Sequence, residues 1–138
     1  MKNYPNSKNV FLGTFALDEI PIKIMTYPAC MIINNQSKNR PGEHWLAIYF
    51  DQLKRATFFD SYGFSPEYYK LEYFLKRNSK SFIINKIIFQ SYFSKYCGYY
   101  CVFFLIFMCK KYSLKKFQLL FKTPIENDKM FKKLISKN

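Results

Sequence analysis

No stretch of this chain is apolar for long enough to cross a bilayer. The longest such run, Tyr96 to Cys109, falls short of the ~20 residues that a spanning helix needs. It is expected instead as a buried core helix. The N-terminus, MKNYPNSKNV, lacks the apolar core of a signal peptide. The expectation is therefore an intracellular, reducing setting in which Cys30, Cys97, Cys101 and Cys109 stay as thiols. Acidic side chains are scarce: 9 Asp and Glu face 22 Lys and Arg, leaving a formal charge of +13. That imbalance favours polyanionic partners, nucleic acid or an acidic membrane surface. Internal repeats and low-complexity linkers are also lacking, so residues 1–138 read as one domain, with the polar residues 1–10 as a flexible arm. Histidine occurs once, and Cys97-x3-Cys101-x7-Cys109 with one distant histidine does not match a usual zinc-ligand spacing. Nothing in the sequence requires a metal or other cofactor.

What the chain has in plenty is core material. Hydrophobic residues make up 49% and aromatic residues 21%, enough for a packed interior without disulfide or metal staples. Cys30 to Asn34 reads as a short buried strand, and Gln36 to Gly42 as a polar loop. His44 to Asp51 and Ala56 to Asp60 read as the two strands of a hairpin turning near Leu53. Ser65 as N-cap and Pro66 at the first helical position predict a helix to about Asn78, with Tyr68, Leu71, Phe74 and Leu75 on one face. Ser81 to Phe89 is expected as a strand, Gln90 to Tyr96 as a loop and Cys97 to Tyr112 as the central helix. Leu114 to Phe121 and Asp128 to Ile135 are expected as short amphipathic helices parted by Thr123-Pro124. Strands first, with helices around them, give the α+β class.

Four positions carry potential chemistry. His44 stands at the start of a predicted strand and can serve as a general base. Asp60 follows sixteen residues later. Antiparallel pairing sets it at the same open end of the hairpin, where a carboxylate can accept the imidazole N–H and fix its tautomer. Cys97 precedes Gly98 where a polar loop enters an apolar helix. A helix N-terminus lowers a thiol pKa, and glycine leaves room for a substrate carbonyl beside the sulfur. Gln90, seven residues before Cys97, can aim an amide N–H at a developing oxyanion. Each has a plainer reading: a structural histidine, a turn aspartate, a buried cysteine and a loop glutamine. Cys101 and Cys109 read as core residues of the same helix.

Taken in order, these pieces resemble the adenovirus maturation protease (adenain) family, with its relatives in large DNA transposons and viruses. They are more distantly similar to SUMO-deconjugating proteases. The matching segments are Phe11-Leu12-Gly13-Thr14, Pro28-Ala29-Cys30 with the run to Asn34, Gly42-Glu43-His44-Trp45, Phe59-Asp60-Ser61-Tyr62-Gly63-Phe64, Gln90, and Cys97-Gly98-Tyr99-Tyr100-Cys101. The resemblance spans about residues 11 to 112. It implies a mixed sheet packed against a central cysteine-bearing helix with peripheral helices. It implies a cysteine endopeptidase in which Cys97 attacks, His44 takes its proton, Asp60 orients His44 and Gln90 stabilises the oxyanion. The implied substrates are viral or transposon precursor proteins, capsid or core, cut near small residues such as Gly during maturation. The implied setting is the virion and host nucleus, and the implied state a monomer with no membrane partner. Stimulation by non-specific DNA is a further family trait that the +13 charge accommodates. No cysteine lies between Cys30 and Cys97, so the one that anchors a peptide cofactor in the adenoviral enzyme has no counterpart. Two other readings stay open: a deconjugase for ubiquitin-like proteins of the SUMO type, and a basic nucleic-acid-binding protein without catalysis.

Overall fold

The computed structural model describes residues 10–35, 44–91 and 94–136. Five strands form one mixed sheet in the order β1-β2-β3-β4-β5. They are β1 Phe11–Ala16, β2 Ala29–Asn34, β3 Trp45–Phe50, β4 Arg55–Phe59 and β5 Ser81–Ile84. The outer pairs, β1 with β2 and β4 with β5, are parallel, and the inner pairs are antiparallel. Among the described residues four α-helices accompany the sheet: α1 Glu72–Asn78, α2 Cys97–Cys109, α3 Leu114–Gln118 and α4 Pro124–Ser136. The class is α+β, as the order of elements implied. The polar arm at residues 1–9 and the loop at residues 36–42 lie outside the described residues, and no described helix is long and apolar enough to cross a membrane.

The central strands read as nearly unbroken apolar runs because both faces of the sheet are covered. Ala47, Tyr49 and Phe59 point to one face and join Cys30, Ile32, Tyr100, Phe104 and Leu105 in one core cluster. Leu46, Ile48, Phe50 and Phe58 point to the other face and pack with Met31, Ile33, Leu71 and Leu75. Helix α2 is apolar all round for a related reason. Phe104 stacks on Phe59 of the sheet, ring centroids 4.6 Å apart, while Phe103 meets Phe117 of α3, Phe121 of the segment that follows it and Phe131 of α4. A helix with partners on opposite sides needs no polar stripe.

Several element boundaries differ from the sequence expectation. The hairpin strands shift by about one residue, so His44 just precedes β3 and Asp60 just follows β4. The helix expected from Ser65 to Asn78 is two pieces, a 3-10 turn at Pro66–Tyr69 and then α1. Pro66 does start the turn, but the Ser65 side chain makes no cap bond. Lys70 breaks it in the left-handed region at φ 61°, where Lys70 N–H donates to Glu67 O and Leu71 N–H to Pro66 O. The break leaves Tyr68 exposed and turns Tyr69 inward. The strand expected to Phe89 stops at Ile84, because Asn85 spends its side chain on the backbone of Asp60. Helix α2 ends at Cys109 rather than Tyr112, with Lys111 at φ 67° closing it. Helix α3 ends at Gln118, short of Phe121. Helix α4 begins at Pro124, earlier than Asp128, with Thr123 Oγ1 accepting from Glu126 N–H.

Candidate active site

Topology collects the four candidate residues at one end of the sheet. The register of β3 and β4 pairs Ala47 with Phe59, so the start of β3 and the end of β4 are neighbours. Strand β5 runs parallel to β4 and pairs Ile84 with Phe58, which sends the chain after β5 out at that same end. His44, Asp60 and the segment leading to Gln90 therefore converge, and α2 presents Cys97 at its N-terminus, buried beside Trp45.

Asp60 is fully buried and takes four donors on its carboxylate. Oδ1 receives His44 Nε2–H at 2.5 Å and Tyr62 N–H at 2.9 Å. Oδ2 receives the Tyr69 hydroxyl at 2.6 Å and Phe64 N–H at 3.1 Å. The backbone of Asp60 is held as firmly: its N–H donates to Asn85 Oδ1 at 3.0 Å, and its carbonyl accepts from Asn85 Nδ2 at 2.7 Å and from Gly63 N–H at 2.8 Å. Gly63 has φ +79°, a left-handed turn that a side chain would strain. With every lone pair directed, the carboxylate is fixed facing one edge of the imidazole.

The histidine is fixed in turn. Nε2 is committed to Asp60, and the ring stacks on Tyr62 at 4.4 Å between centroids. Nδ1 is buried with no partner of hydrogen-bond geometry. Cys97 and His44 are nonetheless close enough to perturb each other. Burial acts to lower the His44 pKa. The Asp60 hydrogen bond, the adjoining Cys97 sulfur and the charges of both outweigh it and push the value up to about 9. Burial acts to raise the Cys97 pKa. The neighbouring imidazole and the backbone N–H groups of Trp45 and Gly98 outweigh it, and the thiol is held below its ordinary value. These opposed shifts favour a thiolate beside an imidazolium near neutral pH.

Gln90 is almost fully buried. Its Oε1 accepts from the Ser61 hydroxyl, and its Nε2 donates to Ser94 O at 3.0 Å. The second Nε2 hydrogen has only a long contact of 3.5 Å with the Tyr62 hydroxyl. The segment carrying Gln90 is clamped from three directions. Phe89 N–H and Gln90 N–H reach Ser61 O, Phe89 O accepts from Tyr100 and Asn127 side chains, and Ser91 N–H donates to Asp128 Oδ2. A clamped amide with one loosely held hydrogen suits a donor to developing negative charge.

Two clefts meet the Cys97–His44 pair. One, of about 600 Å³, is walled by Cys97, Gly98, Trp45, Thr14 and Val102. The other, of about 680 Å³, is walled by His44, Gln90 and a group of aromatic residues. A Cβ at position 98 would touch only Trp45 Cδ1, at 3.6 Å, an ordinary contact. The bare backbone there thus leaves space in the cleft beside the sulfur rather than relieving an internal clash.

Cys101 and Cys30 differ from Cys97. Cys101 is buried in the core, and that burial holds its thiol well above its ordinary value. The bond to Cys109 and burial both push Cys30 up, while the bond from Cys30 holds the half-buried Cys109 below its ordinary value against the opposing effect of burial. Among the described residues no group of three or more His, Cys, Asp or Glu is placed to hold a metal.

Sequence reasoning missed Tyr69, Asn85, Ser61, Asn127 and Asp128, all of which position the site. A signal existed for Asn85: a polar amide in the run Phe82 to Phe89 is poorly suited to a strand interior. Nothing comparable singled out Tyr69 from the adjacent Tyr68. No protein-family model matches this chain, and no curated protein matches its sequence.

Proposed function

We propose that this chain is a cysteine endopeptidase of the adenain-like type, cutting viral or transposon precursor proteins next to small residues such as Gly. The observation that carries the reading is the Cys97–His44–Asp60 line. A thiol held below its ordinary value at a helix N-terminus adjoins an imidazole held above its own, and a fully bonded carboxylate fixes that imidazole.

The chemistry follows from these groups. Cys97 gives its proton to His44, and the thiolate attacks the peptide carbonyl carbon, forming a C–S bond and an oxyanion. Gln90 Nε2–H donates to that oxyanion, a contribution of about 10²–10³ in rate for such donors. The C–N bond then breaks and the His44 imidazolium delivers its proton to the departing amine. Water attacks the resulting thioester while His44 accepts one of its protons. The acid product leaves, and Cys97 is restored with one water consumed. The bare backbone at Gly98 leaves room for an acyl-side chain to approach the sulfur closely, which supports small residues there. The +13 charge supports weak binding to DNA as an accessory polyanion and is compatible with a virion or nuclear setting.

The test is cleavage of internally quenched peptides containing Gly-rich sites by the intact chain, beside Cys97→Ser. The expected result is cutting by the wild type and none by the variant, with circular dichroism unchanged. Equal rates in both proteins, or none in either, would reject the reading. SUMO and ubiquitin conjugates in a parallel arm separate a deconjugase from an endopeptidase.

A further inference from the structure

We infer that the aromatic cleft beside His44 is the leaving-group subsite, and that it selects a large apolar or aromatic side chain just after the bond that is cut. The inference rests on the peptidase reading above and adds the substrate preference of a part of the site that reading leaves open.

The direction of the substrate follows from the division of labour between the two clefts. The acyl part of a substrate stays on the sulfur, so it occupies the space that Cys97 walls. The departing nitrogen must receive a proton from His44, so it lies against the imidazole. Residues attached to that nitrogen run on into the cleft that His44 walls and Cys97 does not. Gln90 lines the same cleft, and the oxyanion and the departing nitrogen share one carbon.

The walls specify the occupant. Phe64 and Tyr68 stack on each other at 4.5 Å between centroids and an interplanar angle of 13°. They are 46% and 66% exposed, and Ile88 is 55% exposed. Pro124 completes the rim at the start of α4. Three large apolar side chains are thus left open to water beside a catalytic histidine, where burial by a ligand would be favourable. Although the chain carries +13 overall, the described residues lining this cleft include no Lys, Arg, Asp or Glu. A charged side chain entering it would lose water and meet no Lys, Arg, Asp or Glu among the described lining residues. An apolar one would cover Phe64, Tyr68 and Ile88.

The experiment is a mixture of peptides randomised on both sides of a fixed Gly, digested by the intact chain, with new N-termini read by mass spectrometry. Phe, Tyr, Leu and Ile should be enriched over Asp and Glu by about 10-fold or more at the first or second position after the cut, the scale that a hydrophobic pocket can supply. In Phe64→Ser/Tyr68→Ser, whose altered side chains are exposed, that preference should flatten, while the preference before the cut persists. Iodoacetamide labelling of Cys97 reports separately whether the thiol–imidazole pair is intact. Cutting with no preference after the bond overturns the inference while leaving the peptidase reading in place, and so does a preference that survives in the double variant. Absence of both cutting and Cys97 labelling removes the peptidase reading and this inference with it.

Discussion

Replacing Asp60 by Asn keeps the shape of the side chain but removes one charge and one acceptor oxygen. In the native site Oδ1 serves His44 Nε2–H and Tyr62 N–H, and Oδ2 serves the Tyr69 hydroxyl and Phe64 N–H. An asparagine offers an acceptor to only one of those pairs. Its NH2 group then faces the other pair, and whichever way the amide turns, a backbone N–H of Tyr62 or Phe64 confronts another donor. A donor left unsatisfied costs about 1–3 kcal/mol when buried, and both of these N–H groups are part-buried, so the variant should lose about 1–2 kcal/mol of stability in total. The histidine loses more than a bond. Its pKa of about 9 against an ordinary 6.5 reflects a preference for imidazolium of roughly 3 kcal/mol. Asp60 supplies the largest favourable part of that preference, and burial would still oppose the charge after its loss. The alkaline limit of activity should therefore move down from near pH 9 by more than about one pH unit, with kcat/KM falling on the order of 10²–10⁴-fold. Urea unfolding followed by Trp45 fluorescence reads the first effect, since Trp45 is the one tryptophan and adjoins the site. A pH series of kcat/KM reads the second. Stability within about 0.5 kcal/mol of wild type, a change typical of ordinary surface substitutions, together with an unmoved alkaline limit, would refute the account of Asp60.

Tyr69→Phe should leave the fold intact but move the pH profile, because it removes one donor from Asp60 Oδ2 while keeping the ring against His44. A profile identical to wild type would make Tyr69 a core residue only. Gln90→Ala should lower kcat by about 10²-fold with little change in KM, whereas iodoacetamide, which forms no oxyanion, should label Cys97 at a near-normal rate. Parallel losses in both assays would count against an oxyanion role and point to the Ser61 and Ser94 contacts instead. Binding to a DNA duplex should be weak, independent of sequence and steeply salt-dependent, because phosphate contacts release counterions; binding unaffected by salt would contradict a charge-driven interaction.

Sequence was informative where one residue type implied one local geometry. Pro66 at a helical start, Cys97-Gly98 at a helix entrance, and the hairpin that sets His44 and Asp60 at one end follow from short-range rules, and the structure has all three. The same rules failed where a side chain met a distant backbone. Asn85 ends β5 because Asp60, twenty-five positions away, offers its N–H and carbonyl. The expected single helix breaks at Lys70, and the break delivers Tyr69 to Asp60. Helical periodicity could not register that break, since Tyr68 and Tyr69 are chemically alike and only the fold distinguishes the exposed from the buried one. The clamp on Gln90 was invisible for the same reason: Asn127 and Asp128 reach it from α4, almost forty residues along the chain.

The central claim is a thiolate at Cys97 sustained by His44, and the pH dependence of Cys97 alkylation tests it most directly. Iodoacetamide labelling is followed site by site by mass spectrometry in wild type and His44→Ala, which keeps labelling of Cys109 out of the measurement. The account predicts that wild-type Cys97 reacts rapidly well below pH 9 and that the variant loses this low-pH reactivity, its rate rising only near or above the ordinary thiol pKa. Identical pH–rate curves in the two proteins, or a wild-type Cys97 that stays unreactive until the solution is alkaline, would contradict it.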